Sequence, residues 1–150
     1  MTRISQFLIF ILSIALFSCE KGPFSGLENE QIQQYISSKN LQVTKSSPSG
    51  LQFILTKENK SGAALSVGQY IKVNYAGRLL SDKQFDAGSF GFTLGIGQVV
   101  RGFDEGISLM RVGEKATIIF PSNLGYGNRK QGDIPKNSPL VFDVEVISAQ

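Results

Sequence analysis

The chain has 150 residues, of which 41% are hydrophobic and 18% are charged, so it is long and apolar enough to form one folded domain. It contains no histidine and a single cysteine, Cys19, which excludes histidine-dependent nucleophilic triads, histidine-bearing zinc sites, internal disulfides and Cys-x-x-Cys redox pairs. The formal charge of +3 is mild and the basic residues are scattered, which argues against a nucleic-acid partner.

The start of the chain has the pattern of a secretion signal. Arg3 supplies a positive charge, and an apolar run extends from Phe7 to Phe17. This run is shorter than the ~20 residues needed to cross a bilayer, which favours a cleaved signal over the alternative of a transmembrane anchor. We therefore predict that residues 1–18 form a signal peptide.

Cys19 follows directly, and Leu16-Phe17-Ser18-Cys19 resembles a bacterial lipoprotein box. In such a box the cysteine is acylated once the signal is removed, although Phe17 is bulkier than the residue usually found at its position. Two or three acyl chains, palmitate among them, would hold the protein stably on a membrane. The sequence thus predicts lipidation at Cys19 and a place in the bacterial cell envelope, on the outer membrane facing the periplasm or on the surface.

Residues 19–50 are predicted to form a lipid-anchored linker that contains one short helix over residues 27–39. Apolar side chains recur on one helical stripe, and two acids lie in the first turn, where the helix dipole favours them. The stripe consists of Ile32, Tyr35 and Ile36, and the acids are Glu28 and Glu30. The stripe suits a stalk, a dimer contact or packing on the chain's own domain, and because it is thin the last is favoured. A breaker cluster over residues 45–50 ends the linker.

The main domain is predicted over residues 51–150, where the hydrophobic pattern alternates as in β-strands. The alternating segments are Leu51–Leu55, Tyr70–Tyr75, Phe90–Leu94, Lys115–Phe120 and Leu140–Val146. One apolar face per strand indicates an antiparallel sheet whose other face is in water. Val100, Phe103 and Ile107 lie on one face of a short helix that we expect to pack on the sheet. The fold class is therefore α+β.

Three sequence patterns suggest another kind of active or binding site, but each lacks a feature that such a site requires. The segment Leu94–Val100 lacks the third glycine of a dinucleotide loop and no βαβ unit surrounds it. Asp104 and Glu105 are neighbours on a helix and point about 100° apart, so they do not converge on one substrate. Asp86 is an isolated carboxylate, whereas a glycosidase needs two. No cofactor and no metal are expected.

Aromatic side chains remain as candidates for a site. Core packing is the ordinary explanation for them, and we assign it to Phe92 and Phe120. Phe85, Phe103 and Tyr126 lie near loops or on the short helix, where core packing explains them less easily.

Taken in chain order, segments of the main domain resemble those of the FKBP-type peptidyl-prolyl cis-trans isomerases. They are Val73-Asn74-Tyr75-Ala76-Gly77, Phe85-Asp86, Leu94-Gly95, Gln98 to Gly106, Met110 to Lys115, Ile119-Phe120-Pro121-Ser122, Tyr126-Gly127, Ile134-Pro135 and Leu140 to Glu145. Together they span roughly residues 48–150 with near-family spacing, so the combination is far more specific than any one segment.

The resemblance implies an antiparallel half-barrel sheet of five to six strands wrapped around one short helix. It also implies an enzyme that interconverts the cis and trans forms of X–Pro bonds without a cofactor. The residues that fall on the family's catalytic positions are Tyr75, Phe85, Asp86, Val100, Phe103, Tyr126 and Phe142. Those that fall on its substrate-binding positions are Val99, Ile134 and Phe90.

Within the family the backbone N–H of Val100 and the hydroxyl of Tyr126 would bind the substrate. Phe103 stands where many members carry tryptophan, which implies weak binding of macrolides such as tacrolimus and rapamycin. The segment from Asp86 to Phe92 is shorter than in many members and lacks their basic residue. The partner of Asp86 and the place of Phe90 in the pocket are therefore left open.

The substrates implied are proline-containing unfolded or exported polypeptides, whose folding the enzyme would assist outside the cytoplasm. One alternative is a non-catalytic peptide-binding or chaperone module of an envelope complex. Another is a structural partner in a gliding or secretion machine. The polar groups of Tyr75, Asp86 and Tyr126 favour catalysis, because a pure docking site has less need of them.

Overall fold

The computed structural model describes residues 26–150, so the predictions for residues 1–18 and for Cys19 lie outside the described residues. The elements in chain order are α1 (Glu28–Ser38), β1 (Lys45–Ser46), β2 (Gln52–Lys57), β3 (Tyr70–Leu79), β4 (Gln84–Thr93), α2 (Arg101–Ser108), β5 (Lys115–Phe120), a 3-10 turn (Ser122–Leu124) and β6 (Leu140–Ala149). The strands form one open antiparallel sheet in the order β1-β2-β5-β6-β3-β4. The predicted α+β class, with five to six antiparallel strands and a short helix, is confirmed. The domain boundary at residue 51 stays a prediction.

Helix α2 packs closely on one face of the sheet, which we call the inner face. A Cβ added at Gly102 would lie 2.3 Å from the ring of Phe120, and one at Gly106 would lie 2.5 Å from Ile118. Both partners belong to β5, so the helix approaches this strand at a distance that a larger residue would not permit. Phe103 on the same helix is buried in the inner core, as its predicted apolar face requires.

Helix α1 packs on the opposite face, which we call the outer face. Its apolar stripe is buried together with side chains of the sheet that point away from the inner core. This outer cluster consists of Ile32, Tyr35, Ile36, Ile54, Leu80, Ile119 and Val141. The favoured interpretation of the stripe is thus confirmed, whereas the prediction that the sheet's second face lies in water is wrong where α1 covers it. Successive apolar residues such as Ile118-Ile119 indicate this, because neighbours on a strand point to opposite faces.

One segment of the predicted breaker cluster is a strand. Lys45–Ser46 forms β1 at the edge of the sheet and pairs with β2. The chain reverses just after it, where the Ser47 N–H donates to the Leu51 carbonyl over 2.8 Å and Gly50 has a φ of +96°. This backbone conformation is open mainly to glycine, so only residues 47–50 act as the break.

Strand β3 extends beyond the alternating segment that predicted it. It continues past Tyr75 to Leu79 because it is hydrogen-bonded to β4 on one side and to β6 on the other, which pairs its backbone groups along its length. Within residues 26–150, no helix is long and apolar enough to cross a membrane.

Candidate active site

A cavity of about 430 Å³ opens on the inner face, between α2, the strands β3, β4 and β6, and the loop that follows the 3-10 turn. Its lining residues are Tyr75, Phe85, Asp86, Phe90, Gln98, Val99, Val100, Phe103, Tyr126 and Phe142. Nine of the ten residues singled out from the sequence therefore lie together around one space. Their roles in binding or catalysis stay predictions.

Two residues differ from the expectation. Ile134 does not line the cavity: it is 4% exposed and packs in the inner core, where a short bridge with Gln131 holds its backbone. Gln98 lines the cavity although its side chain was not singled out. Its Oε1 accepts a hydrogen bond from the Thr93 N–H over 2.7 Å, which ties the end of β4 to the loop before α2. The sequence signal for Gln98 is its place at the start of the segment Gln98 to Gly106 that carries the family resemblance.

The aromatic walls of the cavity support one another. The Phe103 ring meets that of Phe142 edge to face, with 5.1 Å between centroids, and the ring of Phe90 at 5.9 Å. Phe85 closes the other side of Phe142 edge to face at 5.6 Å. Behind the wall the buried ring of Phe120 stacks on Phe142 at 5.8 Å. Because each ring is held by at least one other, the apolar surface is formed before any ligand arrives.

Gly77 in β3 makes this arrangement of rings sterically feasible. The strand register places it opposite Asp86 on β4 and opposite Phe142 on β6. A Cβ at this position would lie 2.6 Å from the ring of Phe85 and 2.7 Å from that of Phe142. In the sequence Gly77 is recognisable only as part of a motif, because nothing local shows that two rings from other strands converge on it.

The polar part of the cavity is a tyrosine–aspartate pair. The Tyr75 hydroxyl donates to Asp86 Oδ2 over 2.6 Å, and the Ala87 N–H donates to Asp86 Oδ1 over 2.9 Å. The hydrogen bond to Asp86, then burial, then the negative charge of Asp86 and the nearby Tyr126 raise the pKa of Tyr75 to about 12. The partner of Asp86 that the sequence left open is therefore Tyr75, which stays protonated at neutral pH.

The Val100 N–H and the Tyr126 hydroxyl belong to lining residues of the cavity and have no hydrogen-bond partner among residues 26–150. Val100 caps the start of α2, and its carbonyl accepts from the N–H groups of Phe103 and Asp104. Its own N–H lies outside the helix and makes no hydrogen bond to the described residues. The Tyr126 hydroxyl likewise makes no hydrogen bond there. Both groups are half-buried and can bind a carbonyl of a ligand.

Phe92 and Phe120 lie where core packing predicts them, since they are 2% and 0% exposed and neither lines the cavity. Asp104 and Glu105 take different partners, which confirms that they do not converge. The Gly95 N–H donates to Asp104 Oδ1 over 2.8 Å, and the Ser49 hydroxyl donates to Glu105 Oε1 over 2.8 Å.

The fold and the cavity define an α+β domain with an aromatic cavity that suits an apolar ligand carrying a carbonyl group. A family model described as FKBP-type peptidyl-prolyl cis-trans isomerase matches residues 62–147. The chain therefore belongs to the FKBP-type peptidyl-prolyl cis-trans isomerase family.

Individual relatives agree with this assignment. The chain is 46% identical over 86 residues to FK506-binding protein 2 of Dictyostelium discoideum, an alignment that covers 53% of this chain and 65% of that protein. It is 40% identical over 105 residues to FK506-binding protein 1 of the same organism, covering 66% of this chain and 97% of that one. It is 38% identical over 109 residues to the FKBP-type peptidyl-prolyl cis-trans isomerase FkpA of Aeromonas hydrophila, covering 71% of this chain and 40% of the relative.

Among solved structures, the crystal structure of FkpA from Escherichia coli matches with a TM-score of 0.71 and 30% identity, over 82% of this chain and 59% of that chain. The chain thus spans less than two thirds of several relatives, including 28% of FK506-binding protein 4 of Mycosarcoma maydis.

Proposed function

We propose that the protein is an active prolyl isomerase that turns the X–Pro bonds of exported polypeptides in the inner-face cavity. The observation that carries the proposal is the combination of an aromatic cavity with the Val100 N–H and the Tyr126 hydroxyl, which have no hydrogen-bond partner in the described part of the chain. No bond is broken in this reaction, so a chain without histidine and with one cysteine is chemically sufficient.

The physical task is to lower a barrier of about 18–20 kcal/mol that arises from amide resonance. A twisted amide has less charge separation than a planar one, so transfer from water into an apolar cavity favours the twisted state. The rings of Phe85, Phe103 and Phe142 would surround the proline ring and exclude water from the turning bond. Each 1.36 kcal/mol removed from the barrier raises the rate about tenfold.

The polar groups would orient the peptide. The Val100 N–H and the Tyr126 hydroxyl would each bind a substrate carbonyl, which fixes one side of the amide while the other rotates. Asp86 holds the Tyr75 hydroxyl, so that this hydroxyl points to the rim rather than into the apolar part of the cavity. The non-catalytic docking module would use the same contacts without lowering the barrier.

The setting proposed for this activity is the bacterial cell envelope, with the protein held by acyl chains on Cys19. Support comes from the apolar run that precedes this cysteine. Metabolic labelling with palmitate should mark the wild-type chain and leave the variant Cys19→Ala unmarked; equal labelling of both would contradict it. Phe103 stands where many members of the family carry tryptophan and offers a smaller ring surface for contact with a ligand, so we propose that tacrolimus binds weakly.

The decisive measurement is isomerisation of a tetrapeptide with an apolar residue before proline, by wild type, Tyr126→Leu and Tyr70→Leu. Tyr70 is half-exposed and outside the cavity, so its variant controls for the loss of a tyrosine. We expect Tyr126→Leu to lower kcat/KM at least several-fold while the melting temperature is retained, and Tyr70→Leu to keep full activity.

Three outcomes would change the proposal. Full activity in Tyr126→Leu would remove this residue from the site. Peptide binding without catalysis by the wild type would establish the docking module instead. A folded wild type that neither binds nor isomerises the peptide would leave the family assignment as a statement about fold alone.

A further inference from the structure

Glu28, in the first turn of α1, makes a double hydrogen bond to a residue far away in the sequence. Its Oε2 accepts from the Ser122 N–H over 2.6 Å, and its Oε1 accepts from the Ser122 hydroxyl over 2.7 Å. Ser122 begins the 3-10 turn and is 5% exposed. Hydrogen bonds to a carboxylate are short and strong, and a bidentate pair fixes orientation as well as distance.

Ser122 in turn holds the backbone on both sides of Tyr126. Its carbonyl accepts hydrogen bonds from the N–H groups of Gly125 and Gly127, each over 2.8 Å. The Gly127 carbonyl accepts from the Asn137 N–H over 2.8 Å, which ties the far side of the loop to the segment before β6. Tyr126 lines the cavity, so Ser122 is one of the residues that set the position of its hydroxyl.

The start of α1 is itself fixed in place. The turn before β2 packs between the helix and the residue that precedes Ser122, because a Cβ at Gly50 would lie 3.2 Å from Pro121 Cγ and 3.4 Å from Asn29 Oδ1. Further along the helix, Ile32 and Tyr35 are each 1% exposed in the outer cluster. A helix held at both places can act as a rigid support for the Glu28 carboxylate.

We propose that Glu28 is a positioning residue for the active site: through Ser122 it holds the loop that carries Tyr126. The inference rests on the proposed function, in which the Tyr126 hydroxyl binds the substrate. A helix that the sequence places in the linker thereby becomes part of the support of the catalytic pocket. The alternative is that Glu28 only adds stability to the 3-10 turn.

The test is a double-mutant cycle between Glu28→Ala and Tyr126→Phe. If Glu28 acts through the Tyr126 hydroxyl, Glu28→Ala lowers kcat/KM about threefold to tenfold in the wild type and has no further effect on Tyr126→Phe. Glu28→Gln keeps one acceptor oxygen, so its kcat/KM should lie between those of the wild type and Glu28→Ala. Glu30→Ala is the matched control, because Glu30 is an acid in the same turn and, among residues 26–150, accepts only from the N–H of Leu27, over 3.1 Å.

Amide hydrogen exchange gives a readout that does not depend on activity. In Glu28→Ala the N–H groups of Gly125 and Gly127 should exchange faster, whereas in Glu30→Ala their exchange should be unchanged. Ser122→Ala replaces Glu28→Ala if the latter is too unstable to study. It keeps the backbone donor and removes the hydroxyl, so exchange at Gly125 and Gly127 should become faster by a smaller amount.

Unchanged exchange of these two glycines in Glu28→Ala would overturn the proposal. So would an equal loss of kcat/KM from Glu28→Ala in the presence and absence of the Tyr126 hydroxyl, because that result describes a general loss of stability. Failure of the proposed function looks different: the wild type would then not isomerise the peptide, or Tyr126→Phe would keep full activity. In either case the exchange measurement would still decide whether Glu28 positions the loop.

Discussion

The two faces of the sheet each carry a tyrosine whose hydroxyl donates to an aspartate. On the outer face the Tyr35 hydroxyl donates to Asp82 Oδ1 over 3.0 Å, and at the cavity the Tyr75 hydroxyl donates to Asp86 Oδ2 over 2.6 Å. The pairs use the same chemistry in different surroundings. Tyr35 is 1% exposed within a closed cluster, whereas Tyr75 lines an open cavity.

The difference lies in the cations. Lys39 forms a salt bridge with Asp82, and this contact holds the pKa of Asp82 below its usual value. Arg78 Nε also lies 3.7 Å from Asp82 Oδ1 and donates to the Tyr35 hydroxyl over 3.3 Å. At the cavity, no salt bridge within residues 26–150 reaches Asp86. A pair held by cations serves structure, while the pair without them leaves an exposed carboxylate at the rim for a ligand.

Gly77→Ala should produce the largest effect, because it disrupts the cavity without touching the outer cluster. The added Cβ would lie well inside contact distance of the rings of Phe85 and Phe142. We expect kcat/KM to fall roughly tenfold or more, and overpacking to lower the free energy of unfolding by about 1–3 kcal/mol. Peptide isomerisation and denaturant unfolding measure the two effects.

The control for Gly77→Ala is Gly88→Ala in the neighbouring strand. A Cβ at Gly88 would lie 3.8 Å from the Tyr75 ring, an ordinary contact, so this variant should keep its activity. Equal activity of the two variants would show that the close approach at Gly77 does not shape the cavity.

The matched variants Tyr35→Phe and Tyr75→Phe test the comparison directly. Tyr35→Phe removes hydrogen bonds to two charged groups, Asp82 and the half-buried Arg78, from a buried hydroxyl, and should lower the free energy of unfolding by about 1–3 kcal/mol with kcat/KM unchanged. Tyr75→Phe should lower kcat/KM several-fold and cost roughly 1 kcal/mol of stability or less, since water can reach the exposed Asp86. If both variants behaved alike in stability and in kcat/KM, the two pairs would not differ in role.

The smallest effect expected is on the titration of Tyr75. Its folded pKa of about 12 lies above the ordinary 10.0, so its contribution to stability is present below pH 10.0 and is lost as the pH rises towards 12. Asp86→Asn removes the charge and should bring the pKa of Tyr75 back towards 10.0. An ultraviolet difference titration of both proteins measures this, and identical curves would contradict the assigned cause.

Sequence patterns predicted most of the strands and α2, because alternation and helical spacing are set by neighbours a few residues apart. They also predicted nine of the ten residues that line the cavity, through motifs whose spacing resembles that of one family. Ile134 lies outside the cavity lining for a tertiary reason. Whether an apolar residue in a loop faces a cavity or the core depends on how the loop folds back, here through its bridge with Gln131.

The sequence by itself therefore determined the α+β class, the aromatic content of the site and the absence of histidine chemistry from the chain. Only the tertiary structure decided that α1 covers the outer face, that two rings meet over Gly77, and that Glu28 reaches Ser122 across 94 positions. The physical reason is distance along the chain. Local periodicity reports which face of an element is apolar, but the partner of that face is chosen by the order in which the strands pair.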